Sequence, residues 1–121
     1  MIGLLVAVAG SCGAVARFTL DGALRARLGS AFPWATIVIN VTGSLLLGLL
    51  AGLVAGGGPP ALLTVVGVGF CGGYTTFSTA SVESVTLLRA GRPVAAAGNA
   101  ALSLVVCVAA AALGLALARL L

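Results

Sequence analysis

The chain contains no histidine, no lysine and only two carboxylates, Asp21 and Glu83. Without imidazole, and with so few acids, a metal centre, a hydrolytic triad or a paired acid–base site is hard to build, so an enzyme is not expected. The three cysteines, Cys12, Cys71 and Cys107, are odd in number, lie in apolar contexts and show no metal-ligand spacing; they read as small packing residues. Charge is scarce throughout. Only 7% of the 121 residues are charged, too few to coat a soluble domain or to form the solvated basic face that nucleic acid requires. No nucleotide-binding motif occurs, which argues against ATP-driven work.

What is abundant is apolar. Hydrophobic residues make up 61% of the chain, and mean hydropathy is +1.29. One helix crosses a hydrocarbon core with about 20 apolar residues, and the chain has room for four such crossings and little besides. The expected fold is an all-α integral membrane domain over residues 1–121, with helices at about 2–27, 33–55, 61–89 and 93–119. No basic region precedes the first apolar run, so residues 2–16 read as part of the first membrane helix rather than as a cleaved leader. Pro33 and Trp34 open the second helix, a proline at a helix start beside an interfacial aromatic. Gly56-Gly57-Gly58-Pro59-Pro60 is a turn. The connections 21–32 and 89–93 carry Arg25, Arg27, Arg89 and Arg92, against Arg119 and the amino terminus on the other side. The positive-inside rule makes both connections cytoplasmic and puts both termini outside the plasma membrane.

The third crossing is unusual. Residues 72–79 read Gly-Gly-Tyr-Thr-Thr-Phe-Ser-Thr, which weakens a helix where the bilayer demands an unbroken one. A break near 71–76 is expected, and non-helical backbone at membrane depth is tolerated only where protein or a watery cavity covers it. Freed carbonyls there can bind a cation, and the N-terminus of the resumed half-helix can face an anion. Thr75, Thr76, Ser78 and Thr79 add hydroxyls, and Phe77 adds a ring whose edge is positive.

Polar residues elsewhere in the spans fall on stripes. Thr36, Asn40, Ser44 and Gly48 recur every four residues, as do Asn99, Ser103 and Cys107, which keeps each set on one helical face. Gly48 and Gly52 form a small-residue pair that serves helix packing. Asn40, an amide at mid-span, suits a structural and a functional role equally. Arg17 can snorkel to the interface or pair with Asp21 one turn away. Glu83, in the second half of the third crossing, is a functional candidate, with a place near a water-accessible mouth as the other reading.

The central octapeptide closely resembles the signature of the Fluc-type (CrcB-like) fluoride channels. Gly13-Ala-Val-Ala-Arg17 and Pro33-Trp-Ala-Thr-Ile-Val-Ile-Asn40-Val-Thr-Gly43 are similar to that family's first and second helices, so the resemblance covers nearly the whole chain. It implies an antiparallel dimer with two fluoride pores, in a lipid bilayer, and a structural Na+ at the dimer centre held by main-chain carbonyls of Gly72 and Thr75. It maps the fluoride pathway onto Asn40, Phe77, Ser78, Thr79 and Ser103, a vestibule glutamate onto Glu83 and a first-helix arginine onto Arg17. Three positions depart from the family pattern: Ala80 replaces a second phenylalanine, Asn99 a tyrosine and Cys107 a frequent serine. These departures, with the one-sided arginines, point to a second, oppositely oriented homologous subunit, with pairing to a second copy of this chain as the other reading. The implied mechanism is passive efflux that relieves fluoride toxicity. The alternative is a small proton-coupled multidrug exporter of similar size, although such proteins centre on a glutamate in the first span, which is absent here.

Overall fold

The computed structural model describes all 121 residues. It is all helical: α1 (Ile2–Leu28), α2 (Trp34–Ala55), a third crossing in two halves, and a last helix. The first half, α3, covers residues 60–74 and is wound as a π-helix over Leu63–Cys71 between single α-turns. The second half is α4 (Phe77–Arg89), and α5 (Pro93–Ala118) completes the chain. Four crossings are long and apolar enough to span a membrane, with Pro60–Arg89 serving as the third. Only 21 of the 121 residues are buried, and large apolar side chains such as Leu4, Phe18, Val94 and Val105 face outward. That inversion suits a chain whose solvent is lipid or a second membrane subunit.

α1 has 27 residues and so runs about 40 Å, longer than the ~30 Å hydrocarbon core. The helix therefore continues past the apolar segment, and Asp21, Arg25 and Arg27 ride on its last two turns. The connection expected over 21–32 shortens to 29–33. It turns at Gly29, whose φ of 76° is left-handed and suits a residue without Cβ. Arg92 Nη1 donates to the Ala31 carbonyl at 2.7 Å, which ties the two connections together at the end of the bundle that carries Arg25, Arg27 and Arg89.

Close backbone approach holds the crossings together. α1 packs on α3 through Gly13 and Gly73: a Cβ on Gly13 would run into the Phe70 carbonyl, and one on Gly73 into the Gly10 carbonyl. α2 packs on α5 in the same way, with Gly48 against the Ala111 carbonyl and Gly114 against that of Leu45. The packing role read for Gly48 and Gly52 is what these contacts display, since Gly52 also meets the Ala118 side chain. In lipid such contact between small residues is a main source of helix association.

The break is narrower than the sequence suggests. Gly72 and Gly73 stay helical, and helix geometry persists through Tyr74. Only Thr75 (φ −80°, ψ 161°) and Thr76 (φ −149°, ψ 113°) are extended. The glycines thus let α1 approach, and the threonines open the chain.

Candidate functional site

The two-residue opening lies midway along the third crossing, and its backbone groups find specific partners. The Thr75 N–H and hydroxyl both donate to the Cys71 carbonyl, at 2.9 and 2.8 Å, and close the end of α3. In a continuous helix the Thr76 N–H would serve the Gly72 carbonyl. Here it donates to Asn40 Oδ1 at 2.8 Å, while Asn40 Nδ2 donates to the Thr76 carbonyl at 3.0 Å. One side-chain amide from α2 therefore replaces both backbone partners that the break removes. Buried backbone groups demand such partners, and Thr76 is only 7% exposed.

Thr76 also starts the next helix. Its Oγ1 accepts from the Thr79 N–H at 3.1 Å, an N-cap for α4, and donates to Thr79 Oγ1 at 2.9 Å. Ser78 Oγ lies 3.2 Å from the same hydroxyl. Three hydroxyls thus gather at the amino end of a half-helix of 13 residues, where the unpaired amides and the dipole favour negative charge.

Two cavities meet the opening, and Thr76 belongs to the walls of both. A cleft of about 740 Å³ lies between α2, both halves of the third crossing and α5; Asn40, Thr75, Phe77, Asn99 and Ser103 line it. A smaller cavity of about 200 Å³ is walled by Arg17, Asp21, Thr36, Ile39 and Thr79. At its rim Arg25 donates to Asp21 Oδ2 and to Glu83 Oε1, both at 2.7 Å. Thr36 donates to the same Glu83 oxygen at 3.0 Å, and Glu83 Oε2 is buried with no partner. The pairing of Arg17 with Asp21 weighed from the sequence is not made, because Asp21 is taken by Arg25. An acid four residues before a base is the favourable order on a helix, and Asp21–Arg25 has it while Arg17–Asp21 does not.

On the cleft's other wall Asn99, 1% exposed, donates to Ser84 Oγ at 2.8 Å and toward the Ala80 carbonyl at 3.4 Å. Ser103 Oγ points back to Asn99 Oδ1 at 3.5 Å.

The profile of the family described as CrcB-like protein, Camphor Resistance (CrcB), matches residues 4–115. The chain belongs to the CrcB-like family. Three relatives illustrate how close the match is, each named fluoride-specific ion channel FluC 1. That of Frankia casuarinae is 44% identical over 122 residues, covering 96% of this chain and 95% of its own. That of Symbiobacterium thermophilum is 50% identical over 117 residues, with 94% of each chain covered. That of Leifsonia xyli is 54% identical over 90 residues, 74% of this chain and 66% of the relative.

In this CrcB-like chain the residues singled out from sequence do not form one cluster. Asn40, Gly72, Thr75, Phe77 and Ser103 all line the large cleft. Thr79 and Arg17 line the small cavity, and Glu83 sits at its rim through Thr36. Phe77 is 87% exposed in the single chain. Sequence reasoning missed the clasp of Asn40 on Thr76 and the bond between Thr42 Oγ1 and the Tyr74 hydroxyl at 2.9 Å. It also missed Ser84, the partner of Asn99. The cap gives a direct prediction. Thr76→Ala loses the acceptor for Thr79 N–H and should lower stability by about 1 kcal/mol, while Thr76→Ser keeps most of it. Thermal melting of the detergent-solubilised protein checks the order; equal midpoints for the two variants would remove the cap from the account.

Proposed function

We propose that this chain is a subunit of a fluoride channel in the cell membrane that lets the ion leave passively. The observation that carries the reading is the mid-membrane opening clasped by Asn40, with polar side chains in the cavities on both sides, in a chain whose relatives are named fluoride-specific ion channels.

The chemistry suits a small, strongly hydrated anion. Stripping its water is expensive unless hydrogen-bond donors replace it. Asn40 Nδ2 has a second hydrogen beyond the one spent on Thr76. The hydroxyls of Ser78, Thr79 and Ser103 can turn toward an ion, and the Phe77 ring edge offers a weak positive contact without a full charge. Several modest sites in a row permit release as well as entry. Arg17, beside Asp21 and Thr79 on the small cavity, supplies positive charge near that route.

The same reading places a structural Na+ against the Gly72 and Thr75 carbonyls, and their surroundings fit. The Gly72 carbonyl loses its helical donor to Asn40, and no backbone N–H bonds to the Thr75 carbonyl. Both are hard oxygen donors, the kind such cations prefer. Two carbonyls are too few to enclose the ion, so a second, antiparallel subunit would have to supply the rest; bound there, the ion would fasten the pair electrostatically. The exposed Phe77 and Gly72 lie on the surface such a subunit would cover. The one-sided arginines favour a homologous partner of opposite orientation, with the connections at 29–33 and 90–92 in the cytoplasm.

The exporter alternative lacks a free acid to carry the proton, because Glu83, the one acid in the third crossing, is paired with Arg25 and Thr36. Growth in fluoride of a bacterium stripped of its own fluoride export tests the reading. Protection is expected when the chain is co-expressed with an oppositely oriented homologue. Protection by this chain alone would keep the fluoride assignment and remove the need for a different partner. No protection in either case, with both proteins found in the membrane, would remove the assignment.

A further inference from the structure

The ion-pair cluster at the rim of the small cavity has charges that an anion route must contend with. Glu83 comes from α4 and Asp21 from α1, and either carboxylate near the mouth would repel an approaching anion. Thr36, 2% exposed, bonds Glu83 Oε1 and itself lines the cavity, so the Glu83 charge stands one hydroxyl from its wall. Arg17 and Asp21 line this cavity, Arg25 and Glu83 are bonded to its walls through Asp21 and Thr36, and the four charges sum to zero: two positive, two negative. Neither α2 nor α5 brings another charge to the cluster. Arg27, Arg89 and Arg92 are at the same end but exposed, where water and salt screen them.

Arg25 is the only cation touching both acids. Its guanidinium spans them with two contacts of 2.7 Å, its side chain 37% exposed and that of Glu83 16%. We propose that Arg25 sets the electrical character of this mouth: by bridging Glu83 and Asp21 it completes, with Arg17, the balance of charge that keeps the way to the Thr76 opening from repelling anions. Arg25 is thus a positioning and neutralising residue that acts through Glu83, and the proposal rests on the anion-channel reading above. A bridge that merely fastened α1 to α4 would change stability when cut. It would not make flux depend on salt.

That difference supplies the test. Wild type, Arg25→Gln, Arg25→Lys and the double variant Arg25→Gln/Glu83→Gln are reconstituted in liposomes, with a partner chain if wild type needs one. Fluoride efflux is then followed by electrode at low and at high concentrations of an impermeant salt. At low salt Arg25→Gln should be about tenfold slower than wild type, the scale of electrostatic focusing at a charged cleft. At high salt the deficit should shrink to about threefold or less as the carboxylates are screened. Arg25→Lys keeps the charge and should stay within about threefold of wild type, and the double variant should recover most of the lost rate. A rate for Arg25→Gln equal to wild type, or a deficit untouched by both salt and Glu83→Gln, overturns the proposal. Should Arg25→Gln fail to assemble, Asp21→Asn tests the same cancellation from the other side. It should speed low-salt efflux by about twofold or more, and an unchanged or slower rate overturns the proposal. A wild-type protein that passes no fluoride removes the channel reading itself, and this proposal with it.

Discussion

Asn40→Ala is expected to cut fluoride efflux at least about a hundredfold, the equivalent of roughly 2.7 kcal/mol on the barrier, and to lower the melting midpoint of the purified protein. The substitution removes the only side-chain partners of the Thr76 N–H and carbonyl. Each backbone group left unpaired in a buried place costs about 1–3 kcal/mol, so the break loses about 2–6 kcal/mol of support together with a donor for the passing ion. Asn40→Asp separates the two contributions. It keeps an acceptor for the Thr76 N–H, loses the donor to the Thr76 carbonyl and puts a negative charge on the anion's route. It should therefore melt above Asn40→Ala yet conduct no better. Wild-type efflux from Asn40→Ala would mean that the break is held by something other than this amide.

A single methyl group at Gly13 should be almost as damaging. Its Cβ would collide with the Phe70 carbonyl and come within 2.9 Å of the Tyr74 nitrogen, both fixed backbone atoms of α3. Overpacking of this kind costs about 1–3 kcal/mol and occasionally more, and here it forces α1 away from the half-helix that ends at the break. Gly13→Ala should show a lower melting midpoint and strongly reduced efflux. Gly3→Ala, whose Cβ would meet nothing within 4 Å, should match wild type in both. Equal behaviour of the two variants would contradict the packing described for α1 and α3.

Much of this was legible in the order of residues. Composition demands a membrane, and the four apolar runs divide at Pro33, at Gly56–Pro60 and at Arg92–Pro93, where chain chemistry forbids continuation. The octapeptide at 72–79 marks the break, but helix propensity assigns it to the wrong residues. Gly72 and Gly73 are poor helix formers in isolation, yet Gly73 stays helical with the Gly10 backbone packed close against it, and the extended residues are Thr75 and Thr76. Their β-branched hydroxyls can bond nearby backbone and so offer it an alternative to the helix. The π-winding of Leu63–Cys71 was not legible, because hydrophobic periodicity in so apolar a run distinguishes no face. Asn40 was visible as a mid-span amide, but its clasp on Thr76 spans 36 positions in sequence, and a local pattern cannot reveal that. The Arg25–Glu83 pair was hidden for the same reason, although the order of Asp21 and Arg25 on one helix favoured their pairing from the start.

Fluoride efflux from proteoliposomes held at a set membrane potential reaches the central claim most directly. The account predicts rapid efflux that follows the potential and the fluoride gradient, with no dependence on an opposing proton gradient and little passage of chloride. Absence of fluoride efflux from vesicles that contain the folded protein and an oppositely oriented homologue, or movement of an organic cation driven by protons in its place, would contradict it.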